Sequence, residues 1–285
     1  MSEIHNKLEK LVDKMPAFPN SVHQILTLTA DINSSPKDLV EVIEHDPILT
    51  LKVLKLVNSA YFGLSREVTS IKKAVVYIGL NTIKNVAISV AAIGVLPKKN
   101  LSGYSMDDFW LHSLTTASVA RLLAKSKGVA EANLSDYFVT SLLHDIGQLA
   151  LAQFIPELFK KAFDKSREDS ILIQDAEKMI IGEDHAEVGA MLGEKWQLPE
   201  NLIHCIRHHH RMHEFDEAPI LEKSIFVANQ VSKHIAEPGH CISMVEPLPS
   251  YIADWLAMPL EDVADSLTDL NEEIEKASLF MKIGN

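Results

Sequence analysis

Histidines and aspartates beyond about residue 106 are spaced so that they could hold a metal ion. The set is His112, the adjacent pair His144-Asp145, His185, the run His208-His209-His210, and Asn229 after them. Imidazole nitrogen and carboxylate oxygen suit Fe, Mn, Zn or Ni, and no cysteine stands among them, which argues against a structural zinc site. One ion needs several ligands converging from different directions. This spacing supplies one or two from each of four or five helices, the way helix bundles build metal centres. A divalent transition metal is expected, Fe or Mn ahead of Zn or Ni, as one or two ions.

Each residue also has a plain structural alternative. LLHDIGQL puts His144 and Asp145 directly after Leu142 and Leu143. Burying the pair there is costly unless it is paired or bound to metal, and a His–Asp hydrogen bond alone would meet that need. Gly147 permits a break or a close approach. His112 lies in the helical stretch DDFWLHSLTTASVARLL, where core and surface histidines are common. Asp108, four residues earlier on the same face, could orient it, ligate a second ion, or simply complement the helix N-terminus. His185 opens HAEVGAMLGEKW, where an exposed helix-start histidine is the alternative. The three consecutive histidines end the helix PENLIHCIRHHH, a position favoured by the helix dipole. Each step turns about 100° on a helix, so the three cannot all reach one ion. Two neighbours could serve a two-metal site, or one metal and a substrate phosphate. The ordered set, not any one residue, carries the inference.

The elements that must position these groups read as helices. Apolar residues make up 47% of the chain and aromatics only 6%, so Leu, Ile, Val and Ala carry a core suited to helix packing. Ser35-Pro36 and Asp46-Pro47 each read as an N-cap followed by proline in the first turn. Ser70 and Ser105 can cap later helices, with Asp108 in the capping-box position after Ser105. Leu49, Val53, Leu56 and Val57 recur at helical spacing, as do Leu111, Leu114, Ala117 and Leu122. Prolines 97, 156, 199, 219, 238 and 259 fall between periodic segments. The expected fold is all-α: an N-terminal helical bundle (1–97), a helical core (105–237) and a C-terminal helical extension (238–285). PKKNLSGYS is the first connector, EPGHCISMVEPLPS an irregular stretch, and one amphipathic helix is expected from about Leu260 to Lys282. Asn58, after the apolar run LKLV, is expected to be buried and hydrogen-bonded, with a helix C-cap as its alternative role.

Composition narrows the partners. The net charge is −12 with no lysine-arginine run, which disfavours nucleic acid. Val86 to Leu96, the most apolar stretch, is too short to span a bilayer, and the N-terminus has no apolar core of signal-peptide length. Cys205 and Cys241 match no zinc or redox spacing and suggest free thiols in a reducing compartment, hence a cytoplasmic protein without a membrane partner.

These motifs resemble those of the HDOD (HD-related output domain) family, within the HD superfamily of metal-dependent phosphohydrolases. The resemblance runs from about Met15 to Ala236. It rests on MPAFPNSV, HDPILTLKVLKLVNSAYFG and SIKKAVVYIGL, then LHSLTTASVA, LLHDIGQLAL, HAEVGAML with W-x-LP, I-x-HHH and VANQVSKHIA. It implies an N-terminal helical bundle packed on an HD-type core in a bacterial signalling or regulatory protein, with a regulatory protein or a phosphate-containing small molecule as its partner. It further implies a metal pocket of His112, His144, Asp145, His185, His209 and His210, with Asp108 standing where two-metal relatives carry a Glu. The alternative it implies is a phosphodiesterase or nucleotidase, in which Asp145 would hold metal and orient the attacking water and His208 could steady a phosphate. Three departures weigh against hydrolysis: Asn229 replaces the closing acidic ligand, Gln148 stands where catalytic relatives often carry lysine, and RMHEFDEAP lacks the GYP signature.

Overall fold

A computed structural model describes residues 3–31, 34–96, 105–236 and 244–284. The fold is all-α, with no strand among the described residues. Six helices form the N-terminal part: α1 (Glu3–Val12), α2 (Asn20–Ala30), α3 (Pro36–Glu44), α4 (Pro47–Val57), α5 (Ile71–Ile78) and α6 (Leu80–Val95). The next eight are α7 (Met106–Ser126), α8 (Leu134–Leu143), α9 (Ile146–Phe154), α10 (Pro156–Asp169), α11 (Ile173–Ile180), α12 (His185–Lys195), α13 (Glu200–His208) and α14 (Ile220–Ile235). Four short helices follow: α15 (Ser250–Leu256), α16 (Leu260–Ser266), α17 (Leu270–Ala277) and α18 (Leu279–Gly284).

The helix starts follow local chemistry. The Ser35 side chain accepts from the Asp38 N–H while Asp38 accepts from the Ser35 backbone, a full capping box before Pro36. Asp46 accepts from the N–H groups of Ile48 and Leu49, and Ser70 and Ser105 cap α5 and α7. Between α5 and α6 the axis turns by 117° at Gly79, whose φ of +82° suits glycine. Helix α6 is apolar nearly all round because Val86–Ile93 lie inside the core. No single helix among the described residues is long and apolar enough to cross a membrane.

One apolar core passes from α1–α6 into α7, α8, α9, α12 and α13. Two sequence motifs far apart in the chain meet there. The Phe18 ring of MPAFPNSV stacks on Trp196 with centroids 4.4 Å apart, and Trp196 Nε1 donates to the Pro16 carbonyl at 3.0 Å. Lys195 beside it donates to the carbonyls of Val12, Asp13 and Met15, closing the end of α1. A second core lies between α7, α8, α14 and α15–α17.

The final amphipathic helix expected from Leu260 to Lys282 is three helices, not one. The backbone leaves the helical region at Leu267 (φ −95°, ψ 81°). The buried side chains Leu260, Val263, Leu267, Leu270 and Ala277 keep a helical spacing across the break, so periodicity could not reveal it. The chain then returns to the N-terminal part, where Phe280 of α18 packs against Tyr61 and Phe138.

Asn58 differs from expectation in burial. It is exposed at the C-cap of α4, yet well bonded: Nδ2 donates to Leu54 O at 3.0 Å and Val68 O at 2.8 Å, and Oδ1 accepts from Val68 N at 2.7 Å. The apolar run before it faces inward, and one further residue round the helix reaches the rim. Its amide clamps the Val68 backbone beside α4. Asn58→Ala should cost about 1–2 kcal/mol and lower the thermal midpoint; an unchanged midpoint would remove this role.

Candidate metal centre

Five helices converge on Asp145. It sits in the break between α8 and α9, directly after His144, and is 3% exposed. His112 comes from α7, His185 from the first position of α12, and His209 and His210 from just past α13. The α9–α12 contact that joins two of these is set by glycine. A Cβ on Gly147 would stand 1.9 Å from the His185 carbonyl oxygen, so only a bare backbone lets Asp145 and His185 come together.

Each carboxylate oxygen of Asp145 faces two imidazoles. Oδ1 lies 3.1 Å from His185 Nε2 and 3.2 Å from His209 Nε2. Oδ2 lies 3.4 Å from His144 Nε2 and 3.5 Å from His112 Nε2. His185 and His210 bring their Nε2 atoms to 3.0 Å, and His112 and His144 to 3.4 Å. Two overlapping groups result, each with ligand atoms within 4.8 Å of one another: Asp145, His185, His209 and His210, and His112, His144 and Asp145.

The opposite edge of every ring is held. His144 Nδ1 donates to the Ser141 carbonyl at 2.6 Å and His209 Nδ1 to the Ile206 carbonyl at 2.7 Å. His185 Nδ1 meets Glu177 Oε2 at 2.6 Å, His210 Nδ1 meets Glu246 Oε1 at 2.6 Å, and His112 Nδ1 lies 3.0 Å from Ser232 Oγ. A carbonyl only accepts, so Nδ1 of His144 and His209 carries the hydrogen and Nε2 presents a lone pair to the centre. Outer partners of this kind orient imidazoles for metal.

The charges agree with that orientation. Burial pushes His144 well below the ordinary histidine pKa, and burial with His209 beside it pushes His210 down to about 3. Burial would raise Asp145, but the surrounding histidines, His144 foremost, hold its carboxyl well below the usual range. His185 goes the other way: burial would lower it, but Glu177 and Asp145 raise it well above the ordinary value. It must give up that proton to coordinate an ion. Glu177 is raised by its own burial, and Glu246 is held low by His210 and Lys233 against the effect of burial.

These residues fit a metal. Asp145 Oδ1 and His209 Nε2 are buried without a hydrogen-bond partner. An acceptor oxygen and a nitrogen lone pair facing each other at 3.2 Å repel unless a cation lies between them. Ligand atoms about 2.1 Å from one octahedral ion lie ~3 Å apart, close to the spacings here.

The other expected residues are placed differently. His208 turns away: its Nδ1 donates to the His204 carbonyl at 2.9 Å and its ring packs on His204 with centroids 4.1 Å apart. It is thus not set to steady a phosphate at the centre, because the step of about 100° that brings His209 inward carries His208 outward. Asp108 is half-buried in the first turn of α7, its N–H donating to Ser105 Oγ, and belongs to neither group. Gln148 is 2% exposed in α9. Asn229 is fully buried in α14, with neither amide atom hydrogen-bonded. Cys205 is a buried free thiol that burial pushes up in pKa, and Cys241 lies outside the described residues.

Glu177, Glu246 and Ser232 are absent from the sequence-derived set. Glu246 falls in the stretch read as irregular, and Glu177 lies one helix before the histidine it holds. Glu177→Ala should weaken metal binding about 10- to 100-fold, read by titration with Mn(II); unchanged affinity would reduce Glu177 to a packing role.

Fold and site together define a helical protein whose shared aspartate and five imidazoles form a pocket able to hold divalent metal. The chain belongs to the HDOD family: the HDOD domain model matches residues 15–212. A curated "Uncharacterized protein" of Treponema pallidum (strain Nichols) is 31% identical over 229 residues, 79% of this chain, but this chain spans only 43% of that relative's length. Among solved structures, a "Putative phosphohydrolase" from Shewanella amazonensis SB2B is 25% identical with a TM-score of 0.72, covering 96% of this chain and 97% of that one. An HDOD domain protein with unknown function from Geobacter sulfurreducens is 22% identical with a TM-score of 0.75, covering 97% and 99%, and shares the fold.

Proposed function

We propose that this chain is a signalling module of the HDOD type, organised around a pocket that holds divalent transition metal, Fe or Mn ahead of Zn or Ni. The observation that carries this reading is Asp145, each of whose oxygens is bracketed by two histidine Nε2 atoms. The pocket is largely buried: His144 and His185 are 0% exposed, the Glu246 carboxylate holds His210 Nδ1, and the His112 side chain is 11% exposed. Such burial suits retaining an ion and coupling its presence to the helices that supply its ligands. Metal bound there would tie α7, α9, α12 and the end of α13 together, and a regulatory protein partner would read the resulting surface.

A second reading, metal-dependent phosphoester hydrolysis, is favoured by the same shared carboxylate and by the name of the Shewanella relative. Divalent metal in such a site polarises a phosphoryl oxygen and lowers the pKa of a water. The chain's part would be to hold metal through Asp145 and the histidines. Gln148, buried and neutral, offers a phosphate an amide but no charge, and Asn229 offers no carboxylate. These two residues place the weight on regulation. Elemental analysis of the purified chain, followed by a phosphodiesterase and nucleotidase panel with Mn(II) or Fe(II), tests both. Bound metal without hydrolysis supports the first reading and turnover the second. Absence of metal after aerobic and anaerobic purification overturns both.

A further inference from the structure

The two ligand groups are not equivalent, and their difference lies in what stands behind the rings. In the first group, His185 is backed by the Glu177 carboxylate and His210 by the Glu246 carboxylate, each at 2.6 Å. Both carboxylates are buried, at 0% and 2% exposure. In the second group, His112 is backed by the Ser232 hydroxyl and His144 by a backbone carbonyl. The first group therefore has four ligands and two additional anionic partners; the second has three ligands and none. A carboxylate behind an imidazole raises its basicity and its hold on a cation, whereas a neutral acceptor mainly fixes its orientation.

Asn229 belongs with the second group by position. It lies one helical turn before Ser232 on α14, the residue that bonds His112, so the two share a helix face. It is fully buried, and neither its oxygen nor its nitrogen has a partner. An amide so placed lacks its hydrogen bonds until something enters beside it. On that face its oxygen would offer the His112–His144–Asp145 side a neutral fourth ligand. The shared carboxylate deepens the contrast. A cation on the Oδ1 side of Asp145 draws on the single charge of that group, so one on the Oδ2 side meets two imidazoles, an amide and a partly neutralised oxygen.

We propose that the pocket comprises one retentive seat for divalent metal, formed by Asp145, His185, His209 and His210, and one weak, exchangeable seat formed by His112, His144, Asp145 and Asn229, so that the second responds to the free concentration of the ion. This rests on the metal-holding reading above and adds to it what the pocket would sense: the availability of a divalent transition ion.

Equilibrium dialysis and calorimetry of the full chain with Mn(II) test it. One equivalent should survive dialysis. A second should bind with a dissociation constant larger by about a hundredfold or more, since two outer carboxylates each contribute about 10- to 100-fold. Asn229→Asp should tighten the second equivalent about tenfold or more and leave the first unchanged. Asn229→Ala should weaken only the second, and His112→Ala should abolish it while the first is kept. Two equivalents of equal affinity would overturn the proposal, as would a second constant indifferent to both Asn229 variants. The metal-holding reading would survive either result, because it fails only if no equivalent binds. Should Asn229→Asp fold poorly, Asn229→Ala and His112→Ala still decide the matter.

Discussion

Asp145→Ala should remove metal from the whole pocket, whereas loss of any one histidine should remove it from part. The expectation follows from the shared carboxylate. Oδ1 lies within 3.2 Å of His185 and His209 and Oδ2 within 3.5 Å of His144 and His112, so one side chain serves both groups. It is also the one carboxylate in either group. Without it, five imidazoles face each other with no carboxylate in direct reach, the Glu177 and Glu246 carboxylates standing one ring further out, and a divalent ion among them in a low-dielectric site loses its nearest compensating charge. Metal per chain, measured by elemental analysis after loading and dialysis, should fall to near zero in Asp145→Ala and stay measurable in His112→Ala. The melting temperature should fall as well. An ion at a thousandfold excess over its dissociation constant adds about 4 kcal/mol to the folded state by mass action, and that increment disappears with the ion. Asp145→Asn separates charge from shape: the amide keeps the volume and should still lose most of the metal. Wild-type stoichiometry in Asp145→Ala would show that Asp145 does not organise the pocket.

Much of this pocket is legible in the sequence because, apart from His112 inside α7, its side chains stand at a helix start, end or break whose local chemistry is readable. Ser105 caps the helix that carries His112, Asp184 caps the one that opens with His185, and Pro199 precedes the one that ends in the histidine run. The outer partners are not legible in this way. Glu177 reaches His185 because α11 and α12 meet at a short turn, and Glu246 reaches His210 only after the chain has passed through α14 and returned. Nothing periodic marks either carboxylate. The choice among His208, His209 and His210 is equally tertiary, since the angular step fixes their divergence but not which ring points inward. Asn58 shows the same limit in reverse. Its hydrogen bonding follows from residue type, but its exposure depends on where the Val68 backbone runs. The expected long C-terminal helix failed because a buried stripe can cross a backbone break without losing its spacing.

Among the described glycines, Gly147→Ala should add the most damaging methyl. Its Cβ would stand 1.9 Å from the oxygen of His185, 2.8 Å from the carbonyl carbon of His185 and 2.7 Å from the nitrogen of Gly189. All three are backbone atoms in the first turns of α12, so no rotamer change relieves the contact. Helices α9 and α12 would have to part by about 1 Å or more in an interior packed too tightly to yield. That movement carries His185 away from Asp145 Oδ1, which it meets at 3.1 Å, and opens the first ligand group. The stability cost should reach about 3 kcal/mol or more, the upper end for overpacking, against a total of about 5–15 kcal/mol for a folded domain. Gly189→Ala is the control. Its Cβ would meet the Ile206 Cγ2 methyl at 2.9 Å, a side-chain group with room to turn, and lie 3.3 Å from the Gly147 nitrogen. That variant should cost about 1–2 kcal/mol and keep its metal. Denaturant midpoints and metal content of the two variants provide the comparison. If Gly147→Ala melts with the wild type and carries the same metal, then the bare backbone at position 147 does not set the approach of Asp145 to His185. If Gly147→Ala unfolds outright while Gly189→Ala folds and keeps its metal, the backbone contact at position 147, and not added volume between α9 and α12, is what the fold cannot tolerate.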